Sequence, residues 1–370
     1  MLNRIAKFLG IVLLISIVVP LYAQHEDNQT HHNSAEKTEK KDFNAGEYVL
    51  EHVMDAYSWH VFSYKGKHYS IPLPIILYSK NPQLHEGKSL SIFMSSKFHH
   101  GHAAYNGYAI SHSEENKGKI VEQIEGHEAR PFLDVSITKT VAGMIFFALL
   151  LLFLAFTVVA AYKKNRGKAP KGLQNLFEPL IVFIRDEVAI PSIGKEKHTR
   201  FMPFLLSVFF FVLISNLFGL IPFPPFNGGV TSNIAVTLVL ALFTFIITTL
   251  SGNKHYWKEI YNPDVPWWLK YPIPLMPIVE LTGVFTKPFV LMVRLFANML
   301  AGHMIVAVFI SLIFVFSSLF GAAGGFAISP ISLLFSIFIV LLDILVSFIQ
   351  AYVFTLLSAI YFGMATSEHH

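Results

Sequence analysis

The chain has 370 residues, 53% of them hydrophobic and 14% charged, with 35 phenylalanines and no cysteine. Soluble domains carry roughly a quarter charged residues, so this composition excludes a soluble globular protein and a disordered one. The net charge of +4 invites a nucleic-acid reading, but the basic residues form no such patch, and without cysteine there are no disulfides, thiolate metal sites or thiol nucleophiles.

The chain opens with Arg4 and Lys7, an apolar run over 8–19, Pro20 and the small Ala23. That is the layout of a secretory signal peptide over residues 1–23, cleaved after Ala23, with an uncleaved signal anchor as the alternative. Residues 24–139 are polar, with 12 basic and 15 acidic residues and 12 of the 17 histidines, and read as a small extracytoplasmic, periplasmic extension. Its first part, 24–47, is expected to be disordered. The stretch WHVFSYKGKHYSIPLPIILYS alternates aromatic and polar residues around Lys65-Gly66-Lys67 and predicts a hairpin, with a further strand signal in SLSIFMSS. The cluster FHHGH offers His99, His100 and His102 to a metal. Exposed histidines in polar segments are commoner than ligands, and no metal site or cofactor is assigned.

Apolar runs follow at 141–162, 203–221, 231–250, 289–319 and 331–362, each near or above the roughly 20 residues of a helical span. The segment 163–200 contains nine Lys/Arg, and 251–270 contains Lys254, Lys258 and Lys270. By the positive-inside rule both lie in the cytoplasm, as does the C-terminus. The loops IPFPPFNGGVTSN and FGAAGGFAISP carry no charge and fall outside. GLQNLFEPLIVFIRDEV reads as an amphipathic helix on the inner surface. The fold class is therefore an all-α polytopic membrane protein of about five transmembrane helices with a small polar N-terminal extension. The last two runs would extend roughly 46 to 48 Å against a hydrocarbon core of about 30 Å, which predicts a long, steeply tilted hairpin.

Ionisable residues inside a span are costly and mark function. Here they are Arg294, His303 and Asp343, with the amides Asn298 and Gln350. In an antiparallel hairpin centred near residue 322 or 323, His303 faces Asp343, Arg294 faces Gln350 and Asn298 faces Ser347. Arg294, Asn298 and Ala301 share one helical face with other small residues, whereas His303, nine positions on, points about 180° away. A His and an Asp in contact inside a membrane form a coupled proton relay; a metal site would need a third ligand. Arg294 is a permanent cation that cannot relay protons. Its missing carboxylate is expected on another subunit. Glu280 and Lys287 precede it at seven-residue intervals, and Pro288 is expected to interrupt the helix between them and Arg294.

The stretch LTGVFTKPFVLMVRLFANMLAGHMI resembles the signature of subunit a of the F-type ATP synthase. IQAYVFTLLSAIYFGMATSEHH resembles that subunit's C-terminus, and NLFGLIP, from Asn216, adds support. The resemblance covers 140–370. It implies a non-catalytic stator subunit of the inner membrane whose partners are the c-subunit ring, the peripheral-stalk b subunit and the bilayer. Two half-channels would pass protons to and from the ring carboxylates. It implies that Arg294 is the essential arginine and that Asn298, His303, Asp343 and Gln350 line the channels, with Glu280 and Asn216 contributing. Many members place an acid in the signature span and a histidine in the last one; here His303 and Asp343 exchange those types. Ala297 stands where glycine is common, and SNIAVT lacks the acid and the Asn that many members have in their ADxNVT stretch.

A self-contained channel or secondary transporter is the competing class. Such transporters carry internal repeats, and the five unequal runs show none. A membrane-anchored metal-binding module is the third class. The chain has no phosphate-binding loop and so no nucleotide site.

Overall fold

The computed structural model describes residues 55–64, 67–85, 87–101, 103–111, 113, 116–124, 127–164, 169–221, 229–261 and 275–367. The expected signal segment 1–23, the expected disordered stretch 24–47, His102 and the side chain of His100 lie outside the described residues. Two compact units divide the chain, with boundaries at Ala56/Tyr57 and Ser136/Ile137.

The unit Tyr57–Ser136 is a β-structure. β1 (Ser58–Tyr64) and β2 (Lys67–Pro72) pair antiparallel with Tyr64 opposite Lys67, which is the expected hairpin. β3 (Pro74–Tyr78) is the centre of a sheet ordered β4-β3-β8, with β4 at Leu90–Met94 and β8 at Leu133–Asp134. β5 (Tyr108–Ile110), β6 (Ile120–Ile124) and β7 (His127–Ala129) form a third sheet. Ile75, Leu77, Phe98, Tyr108 and Ile120 build the core. The expected hairpin and further strand are thus present, and the extension carries eight strands among the described residues, so the chain is mostly rather than entirely helical. Of the strands not expected, β5, β7 and β8 are two or three residues long, too short to show a period of 2.

His85 is buried beside that core. Its Nδ1–H donates to the Asn106 carbonyl at 2.7 Å, its ring stacks on Tyr108 with centroids 4.0 Å apart, and Nε2 lies 3.6 Å from Glu122 Oε1. The turn that reaches it needs Gly107, with φ 75°, because a Cβ there would meet the Leu84 carbonyl oxygen at 2.7 Å.

The second unit is helical. α1 (Lys139–Lys164) starts where the Asp55 carboxylate accepts from Thr140 N at 3.1 Å and ends on Lys163 and Lys164, so both ends complement the helix dipole. The expected amphipathic helix appears as α2 (Leu173–Phe183), which passes through a π-helical turn (Ile184–Ala189) into the short α3 (Ile190–Ile193). On that turn Arg185 donates to Asp186 and holds its carboxyl below the usual range. α4 (His198–Gly219) is buried on most sides by α1, the π-helical turn and the last helix. α5 (Ile234–Leu250) is capped by Asn233, whose Oδ1 accepts from Ala235 N at 2.9 Å, and is followed by α6 (Lys254–Tyr261).

α7 (Leu275–Thr366) contains both final spans, and within it Gly321 departs from helical geometry with φ 71° and ψ −172°. The expected loop over FGAAGGFAISP is therefore corrected: Pro330 lies inside the helix, and so does Pro288, where an interruption is expected. Gly321 supplies the left-handed φ that reverses the chain in one residue. Gly324 and Gly325 leave room for it, since a Cβ at 324 would lie 2.8 Å from the Phe316 carbonyl oxygen and one at 325 would lie 3.0 Å from Ser317 Cβ. By length and composition three helices among the described residues can cross a membrane, or four if α5 and α6, bent by 104°, count as one broken span. One of the three is the stretch Ile278–Thr366, which holds both arms of the reversal.

The last helix is tied down at its end. The Thr366 carbonyl accepts from Lys197 Nζ at 2.9 Å and Asn253 Nδ2 at 3.1 Å, and Asn253 N donates to the Ala365 carbonyl at 2.9 Å. Gly363 packs on the Ser192 carbonyl, leaving no space for a Cβ.

Candidate functional site

Arg294 lies midway along the first arm of α7 and is exposed at the surface of the unit. Among the described residues no carboxylate lies within ion-pairing distance of it; the Tyr361 phenol is within range of its charge. Ala297, Asn298 and Ala301 are exposed on the same stripe, at helical spacings from Arg294. Arg294 is thus a guanidinium on a stripe of small residues among exposed apolar side chains.

A second group lies toward Gly321. Gly302 is buried and Asp343 packs on it: a Cβ there would lie 2.7 Å from Oδ1 and 2.8 Å from Oδ2. His303 is the next residue and half-buried. The two arms thus bring His303 and Asp343 to one level. The expected direct contact is corrected, since no hydrogen bond or ion pair joins them among the described residues, and Asp343 Oδ2 is buried with no hydrogen-bond partner. Glycine explains this geometry: with no side chain at 302, the carboxylate settles on the backbone of the facing arm.

Asn216, near the end of α4, is fully buried; its Oδ1 accepts from Thr231 Oγ1 at 2.6 Å and its Nδ2 has no partner among the described residues. Along the second arm, Ser347 and Gln350 are buried below Asp343, and Ser347 Oγ donates to the Asp343 carbonyl at 2.7 Å. Further on, Ser358 Oγ lies 3.3 Å from Thr244 Oγ1 of α5. These hydroxyls and amides form a polar line along the inward face of an otherwise apolar helix.

Toward Leu275, Lys287 lies with its Nζ 5.8 Å from the Tyr361 ring centroid, in a recess shared with Thr248 and Tyr256. Glu280 is half-buried and makes no ion pair with Lys287 among the described residues. The structure therefore does not join these two as a pair.

Three neighbours escape sequence reasoning. Lys139, in the first turn of α1, lies within electrostatic range of His303. Thr231, and Tyr361 within the C-terminal stretch, are not singled out by type or spacing and become visible only through packing. Each sits 15 or more positions from its partner, so spacing on one helix cannot find it. Among the described residues no group of three or more His, Asp or Glu side chains could hold a metal ion.

Comparison with known sequences sets this arrangement in context. The family described as ATP synthase A chain matches residues 142–363, and a family described as a domain of unknown function matches residues 48–135. The chain is similar to ATP synthase subunit a of Chloroherpeton thalassium, 42% identical over 278 residues that cover 70% of this chain and 79% of that protein. It is also similar to ATP synthase subunit a of Myxococcus xanthus, 42% identical over 245 residues covering 64% of this chain and 75% of that one.

Proposed function

The chain belongs to the ATP synthase A chain family, and from that membership we propose that Arg294 is its rotor-facing cation and that two polar routes along α7 serve the ring. It is the proton-translocating stator subunit of the membrane sector of an F-type ATP synthase, a multi-pass protein of the inner membrane working with the c ring and the b subunits. The subunit performs no bond chemistry; its work is to move protons.

The observation that carries the residue assignment is the exposed Arg294, with no carboxylate beside it among the described residues, on its stripe of small residues. A ring carboxylate passing this face is attracted when ionised and released when protonated, and a permanent cation interrupts any continuous proton wire. Asn298, one turn on, supports the same face. Toward Gly321, His303 and Asp343 load or unload the ring carboxylate, with Asn216 lining the approach. Toward Leu275, Gln350 and Glu280 serve the other route. Their separation along the helix, nine residues from Arg294 to His303 at about 1.5 Å each, keeps the two routes offset.

We assign residues 1–23 to a signal peptide, 24–139 to a periplasmic extension and 140–370 to the membrane domain. Five crossings put the C-terminus in the cytoplasm, in keeping with the basic segments 163–200 and 251–270. Replacing Arg294→Ala in membrane vesicles tests the reading. Proton-driven ATP synthesis is expected to disappear while the complex still assembles, and normal synthesis would overturn the assignment.

A further inference from the structure

The sheet β4-β3-β8 is apolar on both faces. One face gives Ile75, Leu77 and Phe93 to the core. On the other, Pro74 pairs with Met94, Ile76 with Ile92, and Tyr78 lies between Leu90 and Leu133. Residues two apart on a strand share a face, and directly paired residues do too, so these side chains form one grid. Val135 extends it, its amide donating to the Ile76 carbonyl at 3.0 Å. Ile92 is 67% exposed, Val135 54% and Leu133 53%. An antiparallel sheet with one face in water carries polar residues there; this one has the side chains of a sheet covered twice. A contiguous patch on the order of several hundred Å² marks an interaction site.

Charge gathers at one end of the patch. Lys80 and Lys88 flank the Tyr78–Leu90 pair, and Lys80 Nζ stands 3.8 Å over the Phe132 ring, which meets Tyr78 edge-on at 6.2 Å. Aromatic rings and lysines bordering an apolar surface are the groups that settle at a membrane–water boundary. The chain itself selects the occupant. β8 is an edge strand ending at Asp134, and the apolar helix α1 begins at Lys139. The linking residues 135–138 reach at most about 14 Å when fully extended, which holds this strand near the bilayer surface that α1 enters.

We propose that this face of β4-β3-β8 lies on the lipid bilayer, its apolar side chains at the headgroup–acyl boundary of the leaflet where α1 begins and its lysines on anionic headgroups. The N-terminal unit is then a foot resting on lipid. The proposal requires α1 to be a span and is independent of which residues carry protons.

The absence of cysteine from the chain makes a clean test. The full chain carrying Ile92→Cys is labelled with an environment-sensitive fluorophore and placed in nanodiscs of zwitterionic and anionic phospholipid. Lys119→Cys, exposed beside β6, is the reference. Ile92 is itself at the surface, so the change makes no demand on folding. The label at 92 is expected to emit to the blue and to be quenched by lipid-borne doxyl groups about threefold or more beyond the label at 119. Equal quenching of both labels by aqueous iodide, with none from lipid, would overturn the proposal. A blue-shifted label at 92 that lipid does not quench would overturn it as well, because a protein would then cover the face.

Discussion

Asp343 rests on the bare backbone of Gly302, with both carboxylate oxygens within 2.8 Å of where a Cβ would stand. The absent side chain is what admits a carboxyl group between two helical arms, one residue from His303. Gly302→Ala is expected to swing the carboxyl group aside by rotation of its own side chain while the arms stay paired. Displacements of about 1 Å can cost on the order of a hundredfold when transfer needs hydrogen-bond reach. Passive proton flux through vesicles stripped of the catalytic sector should therefore fall at least about tenfold, with normal assembly on native gels. Wild-type flux would make the carboxylate's position immaterial.

Asp343→Asn removes the only carboxylate at this level of the hairpin among the described residues. We expect flux to drop strongly, and adding His303→Glu to that variant should restore part of it by returning an acid to the same depth. The assay is again proton uptake into stripped vesicles. If Asp343→Asn leaves the rate unchanged, the residue's role is confined to packing.

Thr231→Val takes away the hydroxyl that donates to Asn216 Oδ1. Asn216 is fully buried and its Nδ2 already lacks a partner, so the side chain would be left with neither end satisfied. The cost is about 1–3 kcal/mol, read as a lower thermal midpoint of the purified complex. An unaltered midpoint would show that the pair contributes nothing to stability.

Tyr108 gives the N-terminal unit a signature at alkaline pH. Burial pushes its phenol up, the nearby Ser91 hydroxyl pulls it partly back, and the negative charge of Glu122 adds to the rise. With the folded value above the ordinary one near 10, the related stability is complete below that value and is lost as pH rises through the folded value. Alkaline titration of the full chain should therefore contain a late tyrosinate component that accompanies unfolding of this unit. Tyr108→Phe should remove the component and move the unfolding to higher pH. A titration identical in both proteins would contradict the burial argument.

The hairpin's register can be read from residue numbers because two unbroken helices rise equally per residue. Paired polar positions place its centre near 322 or 323, and in the structure Asp343 meets Gly302, Phe309 stacks on Phe335 at 5.4 Å, and the chain reverses at Gly321. The form of the reversal is less accessible. GAAGG followed by Pro330 has the composition of a loop, yet one residue with positive φ suffices once the next turn carries glycines. The contact of His303 with Asp343 fails for a related reason: depth is set by numbering, but side-chain direction depends on the space Gly302 leaves. Asn216 is visible in the NLFGLIP stretch, whereas Thr231 is not, since only the return of the chain into α5 brings it near. In the extension, the alternation of aromatic and polar residues in the sequence announces the hairpin, while β5 and β7, three residues each, are too short for periodicity to declare.

The end of the final helix bears on how a stationary part stays stationary. A turning ring exerts sideways drag on the stator beside it, and a helix that frays at its tip would yield to it. Here the tip is pinned from separate directions, by Lys197 ahead of α4 and Asn253 ahead of α6, while Gly363 seats the same turn on Ser192 of α3. Thrust on the second arm is thereby passed into three other helices, and the arm acts as a braced strut rather than a free lever.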